Sequence, residues 1–309
     1  MNDTLTRPIW FDGKLVPSSE ASLPLMAHAV HRGSLVFDFG AFHETLRGVA
    51  VFRLRDHLER FRRSAAFLGL ELGFDLSTLA AATRQTIEAS GLRDGYLRWS
   101  AFVPTPEPDL IPRDARMSVA IAAYVSADLL PPGETPAERP AALRIALFDD
   151  ARKAAPEAFP PLAKVAAAYA GPMIAKRRAL AAGADEIVLL DVDGNVAEAP
   201  TSNLFAVIDG QLVTPRLGRI LDGITRDSVL AIARAEGIPA EERTLSLAQL
   251  RASDEAFLTA SSLPIAPVAS VNGKGLGRGA PGAVTARLRM LLLAAERGQD
   301  PRFAKWTSE

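Results

Sequence analysis

The chain has 309 residues, 48% hydrophobic and 23% charged, an ordinary globular composition long enough for about two domains. Its formal net charge of −1 argues against nucleic acid or an anionic membrane surface as a partner. The absence of cysteine excludes disulfides, thiolate metal ligands and iron–sulfur clusters.

The segment MNDTLTRPIWFDGKLV has no basic stretch followed by an apolar run, so no signal peptide is expected. Within it, IWFDGKLVP reads as strand, Asp-Gly turn, strand, and SLVFDFGAFHETLRGVAVFRL as a second hairpin turning at Arg47-Gly48. DHLERFRRSAAFLGL predicts a helix with Asp56 as cap and Leu58, Phe61, Ala65 and Leu68 on one face. STLAAATRQTIEAS predicts another, closed by Gly91. GYLRWSAFV alternates, placing Tyr96, Arg98 and Ser100 on one side of a strand and Leu97, Trp99 and Ala101 on the other. The proline-rich stretch 129–142 has no period and contains the expected linker, 131–140. Beyond it come a strand LRIALF, a helix MIAKRRALAAG, and DEIVLLDVDGNVAEA with a turn at Asp193-Gly194. SNLFAVIDGQLVTP predicts a hairpin across Asp209-Gly210. ITRDSVLAIARAEG predicts a helix with Thr225 as N-cap, Val229, Ile232 and Ala233 inward, and Gly237 as stop. EAFLTASS is a strand entering a small polar turn, and GAVTARLRMLLLAAERG a last helix. The longest apolar runs stop short of the roughly 20 residues a membrane span needs, and a cytoplasmic protein is expected.

Several motifs bear on chemistry. His28 and His31 lack a carboxylate at metal-site spacing, so no metal is expected. NGKGLGRGA at 272–280 lacks the order of a phosphate loop and reads as a hairpin, and no Gly-x-Ser-x-Gly elbow exists. In FPPLAKVAAAYAG, Lys164 stands among small, apolar and aromatic residues. Such a lysine either snorkels to water or is held partly desolvated, where a neutral amine attacks carbonyls. LDGITRD sets a glycine turn before a helix start, which serves either ordinary capping or phosphate binding through the N–H groups of Ile224 and Thr225. TASS, at 259–262, ends a strand in hydroxyls, and Glu198 lies between apolar neighbours in NVAEAPTSNLF, either as a surface acid or facing a cationic ring nitrogen.

In this order the pieces resemble the class IV aminotransferases, fold-type IV enzymes that use pyridoxal 5′-phosphate (PLP), and most closely their branched-chain branch. The resemblance spans nearly the whole chain, through IWFDGKLV, HRGSLVFDF, VFRLRDHLERF, GYLR, AKVAAAY, VAEAPTSNLF, LDGITRD and FLTASSLPIAPV. It implies an α/β (α+β) fold with a smaller N-terminal α/β domain at 1–130 and a larger, β-barrel-like PLP-binding domain with helices at 141–309. It implies that Lys164 is the Schiff-base lysine, that Tyr169 bonds the cofactor's phenolic oxygen and that Glu198 pairs with its ring nitrogen. Arg60, Ile224, Thr225 and Ser261 would then hold the phosphate, and Leu221 would pack on the ring. Phe37, Tyr96, Arg98 and Ser262 would meet the substrate. The activity implied is ping-pong transfer of an amino group from a branched-chain-like L-amino acid to a 2-oxo acid such as 2-oxoglutarate, in at least a homodimer.

The sequence departs from the branch at three points. Arg32 stands where an aromatic is usual, FVPTPEPDLIP replaces a glycine-containing substrate loop, and AAYVSADLLPPG lacks an expected tryptophan. D-amino acid and (R)-amine transaminases and aminodeoxychorismate lyases share the fold and are the alternatives; a PLP-binding scaffold without catalysis is a distant one, opposed by the joint presence of Lys164, Tyr169 and Glu198.

Overall fold

The Asp12-Gly13 pair turns the chain as its sequence predicts. Both residues are left-handed, at φ 45° and 96°, which matches the twist of a two-residue hairpin. That hairpin joins β1 (Ile9–Phe11) to β2 (Lys14–Val16). The computed structural model describes residues 7–131 and 133–308; the leader reading of residues 1–6 and Pro132 of the linker stretch lie outside them.

The first sheet continues through α1 (His28–Arg32), β3 (Leu35–Thr45), β4 (Gly48–Val51), α2 (Leu54–Phe67), β5 (Glu71–Leu72), α3 (Leu76–Ser90), β6 (Gly95–Phe102) and β7 (Arg116–Tyr124). The strand order is β2-β1-β7-β6-β3-β4, with β5 paired to β7. The alternation read in GYLRWSAFV is present: Leu97, Trp99 and Ala101 are fully buried, while Tyr96, Arg98 and Ser100 are half-buried on the other side. Helix α2 packs on β3 and α3 on β7. The Trp99 indole donates to Thr83 on α3 at 2.8 Å. A Cβ at Gly40 would meet the Trp99 ring at 2.9 Å, so β3 needs glycine there.

One expected cap is corrected. Asp56 lies inside the first turn of α2, whose N-cap is Arg53, and it accepts from Arg53 Nε at 2.6 Å. A carboxylate there still complements the helix dipole. For α3 the cap is Asp75, accepting from Thr78 N at 2.7 Å, and Gly91 closes the helix at φ 69°.

The second sheet is built from β8 (Leu143–Ala146), β9 (Glu186–Ile187), β10 (Asn203–Ile208), β11 (Gln211–Thr214), β12 (Ala240–Glu242), β13 (Glu255–Ala260), β14 (Leu263–Val271) and β15 (Lys274–Gly275). Its order is β12-β11-β10-β13-β14-β8-β9, with β15 on β14. Helices α4 (Ala170–Ala181), α5 (Ile224–Ala235), α6 (Leu247–Ala252) and α7 (Ala283–Glu296) accompany it. DEIVLLDVDGNVAEA forms less strand than its pattern suggests, because Asp191 Oδ1 accepts from the amides of Asp193 and Asn195 at 2.9 and 2.8 Å and curls the segment. Thr225 is not the cap of α5; the helix begins one residue earlier, with Gly223 as N-cap. The core joins Val188, Leu204, Val213, Leu245 and Leu258, all fully buried.

The chain divides into two compact units that are not continuous in sequence. The first takes the chain to Glu138, then Ala163–Ala167 and the segment from Ala295; the second takes Arg139–Leu162 and Ala168–Ala294. The first cut falls inside 131–140.

Glu296 is 2% exposed, and its Oε2 has no hydrogen-bond partner. Burial pushes its carboxyl up to about 8, against a smaller opposing effect of Arg297. Between the ordinary value of 4.5 and about 8 the folded chain holds a proton that the unfolded chain has lost, so this contribution to stability is lost as pH rises through that window. Glu296→Gln removes the titration. In urea unfolding it is expected to gain on the wild type by a few kcal/mol between about pH 5 and pH 8.5. An advantage that is the same at both pH values would contradict the assignment.

Candidate active site

In the first unit the site is arranged by the two faces of β3. Phe37 is paired in register with Ser100, Phe39 with Arg98 and Ala41 with Tyr96. One face therefore carries Phe37, Phe39, Tyr96 and Arg98, joined by Tyr124 opposite Tyr96 on β7. The rings of Phe39 and Tyr96 are 5.3 Å apart, and Tyr124 lies 6.4 and 6.3 Å from them. The Arg98 guanidinium stands 4.2 Å over the Phe37 ring and the Lys164 ammonium 4.9 Å from the same ring, both within cation–π range. Lys164 is fixed at its backbone: its carbonyl accepts from Phe37 N at 3.0 Å, and its amide donates to Ser64 Oγ on α2 at 3.0 Å.

The opposite face of β3 presents Asp38 to α2. Its carboxylate is fully buried and receives Arg60 Nε and Nη2, each at 2.8 Å, and His57 Nδ1 at 2.7 Å. Burial alone would raise the Asp38 carboxyl, but Arg60 and then His57 overcome it and hold the group well below the usual carboxylate range. Burial pushes His57 down, with Asp38 opposing. The His57 ring stacks on Trp99 at 5.6 Å. Arg60, expected to bind phosphate, thus has its guanidinium direction set by a buried carboxylate.

In the second unit Glu198 is the centre. It is 7% exposed and held on both oxygens. Asn203 Nδ2 donates to Oε2 at 2.8 Å and to the Leu221 carbonyl at 3.0 Å, and Leu221 N lies 3.2 and 3.1 Å from Oε1 and Oε2. The Lys153 ammonium is paired directly with Oε1. These contacts connect the acid to the turn before α5. At that helix start no side chain caps the first amides, because the cap is Gly223. A Cβ at Gly223 would fall 1.9 Å from Asn203 Oδ1. Ile224 and Thr225 form the first turn of α5 and are buried. Ser261 and Ser262 follow β13, half-buried, with the Ser262 carbonyl accepting from Arg139 at 2.8 Å. Tyr169, half-buried, precedes α4.

The structure thus groups Phe37, Tyr96, Arg98 and Lys164 in one unit, with Arg60 behind the sheet, and Glu198, Leu221, Ile224 and Thr225 in the other. Arg32 donates to the Pro108 carbonyl at 2.9 Å. Sequence reasoning missed the groups that hold these residues: Asp38, His57, Ser64, Lys153 and Asn203. One signal was available, a carboxylate in the apolar run VFDFG. Among the described residues no group of three or more His, Cys, Asp or Glu is placed to hold a metal ion.

Residues 41–271 match the model of the family "Amino-transferase class IV". The chain belongs to the class IV aminotransferases. The branched-chain-amino-acid aminotransferase of Pseudomonas aeruginosa is 29% identical over 96% of this chain and 95% of its own length. That of Escherichia coli K12 is 31% identical over 97% and 96%. Among solved structures, a T.th. branched-chain amino acid aminotransferase with pyridoxamine 5′-phosphate superposes with a TM-score of 0.91 at 32% identity, covering 98% of each chain. The same enzyme has been solved with 4-methylvaleric acid and with N-(5′-phosphopyridoxyl)-L-glutamate. The expected fold type, transaminase class and PLP cofactor stand with this family, and the residues fit the cofactor. A glycine-capped helix start suits a phosphate monoester, and the contact a Cβ would make at Gly223 shows why that cap has no side chain. A buried, oriented carboxylate suits a cationic ring nitrogen.

Removing the Asp38 charge leaves Arg60 buried without its anion. Asp38→Asn is expected to cost about 3–5 kcal/mol, the scale of breaking a buried pair from one side. Urea unfolding measures it; a loss below about 1 kcal/mol would mean that water or another anion takes the place of Asp38.

Proposed function

We propose that this class IV aminotransferase takes a branched-chain L-amino acid as donor and a 2-oxo acid such as 2-oxoglutarate as acceptor. The observation that carries the reading is the face of the first sheet, where Arg98 and Lys164 share the Phe37 ring beside Phe39, Tyr96 and Tyr124. A single guanidinium among aromatics suits a substrate with one carboxylate and an apolar side chain. The ligands of the T.th. enzyme, a branched aliphatic acid and a glutamate adduct of the cofactor, support the same pair of substrates. D-amino acid, (R)-amine and lyase readings lack such support.

In this reading Arg60, the Ile224 and Thr225 amides, the Thr225 hydroxyl and Ser261 receive the cofactor's phosphate. Tyr169 donates to its phenolic oxygen, and Leu221 packs on the ring. Bound PLP supplies an aldehyde carbon for the incoming amine and a ring that takes up electrons when the substrate Cα–H bond breaks. Glu198 holds a proton on the ring nitrogen. Lys164 Nζ, displaced by the donor, takes the proton from substrate Cα and delivers it to the cofactor's C4′. Arg98 and Tyr96 orient the carboxylate, with Phe37 as apolar wall and Ser262 as a further polar contact. The acceptor runs the same steps in reverse, which gives ping-pong kinetics.

Lys164→Ala is expected to keep the fold and lose turnover by at least about 10³-fold. Initial rates with L-leucine, L-valine, D-alanine and an (R)-amine, each with 2-oxoglutarate, test the lysine and the substrate class together. Near wild-type rates in the variant remove Lys164 from the chemistry, and a preference for the D or (R) donors removes the branched-chain reading.

We also read the enzyme as a cytoplasmic homodimer. Leu25, Met26, Val30, Leu110 and Ile111 are exposed apolar residues of the first unit. They lie on two segments joined by His28 N to the Thr105 carbonyl at 2.9 Å and by Arg32 to the Pro108 carbonyl. Light scattering at micromolar concentration is expected to give at least twice the chain mass; a fully active monomer would contradict it.

A further inference from the structure

Lys153 is a largely enclosed cation of the second unit, on the candidate site's own acid, that neither the family resemblance nor the reaction has used; the fully buried Arg226 pairs instead with Glu242. It follows Arg152, but the two side chains do different things. Arg152 reaches the Val192 carbonyl at 2.7 Å and is exposed. Lys153 turns inward, is only 17% exposed at its side chain, and pairs with Glu198. The pairing is set by the backbone. Lys153 N donates to the Leu190 carbonyl at 2.9 Å, and the Glu198 carbonyl accepts from Leu189 N at 2.9 Å. Adjacent residues of one segment therefore hold the lysine and the glutamate in register. The other donors to the carboxylate, Asn203 Nδ2 and Leu221 N, are neutral. Without Lys153 a buried carboxylate would be left with dipoles alone, which compensate a buried charge poorly.

We propose that Lys153 is a positioning residue, the built-in counter-ion of Glu198: it holds the carboxylate in place before cofactor arrives and shares it with the ring nitrogen afterwards. The sharing rests on the reading of Glu198 as partner of the ring nitrogen. Two cations on one carboxylate repel each other, so each is held less firmly than it would be alone. The ammonium of Lys153 thereby limits how strongly Glu198 grips the ring proton.

The consequence has an unusual sign. Lys153→Met keeps the stem of the side chain and removes the charge. The cofactor-free protein is expected to melt at least about 5 °C lower, because the carboxylate is left unpaired. Affinity for PLP is expected to rise several-fold, because the ring nitrogen becomes the sole cationic partner. Lys153→Arg restores most of the melting temperature. In a Glu198→Gln background, Lys153→Met changes both quantities little. The measurements are thermal unfolding of the cofactor-free full-length chain and fluorescence titration with PLP, in all four members of the double-mutant cycle.

Equal losses of melting temperature in the wild-type and Glu198→Gln backgrounds would overturn the pair. Weaker PLP binding in Lys153→Met would make Lys153 a direct cofactor contact and overturn the sharing. Failure of the underlying reading shows separately: if Glu198→Gln alone leaves PLP affinity unchanged, Glu198 is not the partner of the ring nitrogen, whatever Lys153 does.

Discussion

A hydrogen bond from Phe37 N to the carbonyl of Lys164, 3.0 Å long, anchors the candidate site of the first unit. Lysine has a long, freely rotating stem, and an amine on a loose loop would point nowhere. Here the residues around it add to β3 as a strand would, with Val36 and Val165 bridged and the Lys164 amide on Ser64. The side chain therefore starts from a fixed Cα. The small residues that follow it are explained by the same close approach. A Cβ at Gly33, where φ is 74°, would come within 3.2 Å of the Ala167 Cβ.

The period of two in β3 then separates two kinds of electrostatics that would interfere if they shared a face. Phe37 and Phe39 face Arg98, while Asp38 faces His57 and Arg60 from the other side. Asp38 is surrounded by charge and donors on both oxygens and has no capacity left for a ligand; it gives Arg60 a fixed direction. Glu198 is similarly surrounded, but three of its four contacts lie toward a helix start and its neighbouring turn. Buried ion pairs contribute little over apolar pairs of the same shape. Their effect in both units is to orient a group, the Arg60 guanidinium in one and the Glu198 carboxylate in the other.

Much of this was legible in the sequence. Every hairpin carried by Asp-Gly was readable, because left-handed backbone selects those residues. The faces of β6 were readable from strict alternation. The candidate site residues stood out in the sequence as outliers, such as a lysine among alanines and a glycine turn before a helix. The two caps were misplaced for local reasons. Asp56 and Thr225 are good capping residues, but Arg53 and Gly223 hold the cap positions, one by adopting φ 55° and the other because Asn203 occupies the space of a side chain. The supporting groups were not legible. Asp38 and Arg60 are 22 positions apart, Lys153 and Glu198 are 45 apart, and nothing local distinguishes Lys153 from the exposed Arg152 before it.

The face proposed to meet substrate also shows why a specificity does not follow from its motif alone. Tyr96-x-Arg98 fixes a side, but the room beside the guanidinium depends on β7. Opposite Arg98 and Ser100 that strand has Ala122 and Ala120, whereas opposite Tyr96 it has Tyr124. Beside β6, β7 is therefore graded along its length, with small side chains opposite Arg98 and Ser100 and a cluster of three aromatic rings at Tyr96. Burial raises the Tyr124 hydroxyl, with Arg98 acting against it, and the cations of this face are the Arg98 guanidinium and the Lys164 ammonium, both over the Phe37 ring. In the proposed reading a carboxylate would be drawn toward the guanidinium by charge, and an aliphatic side chain would lose least by lying on the rings. The second carboxylate of the proposed 2-oxoglutarate acceptor would have to find its cation elsewhere, which is the physical difference this surface would meet between leucine and glutamate.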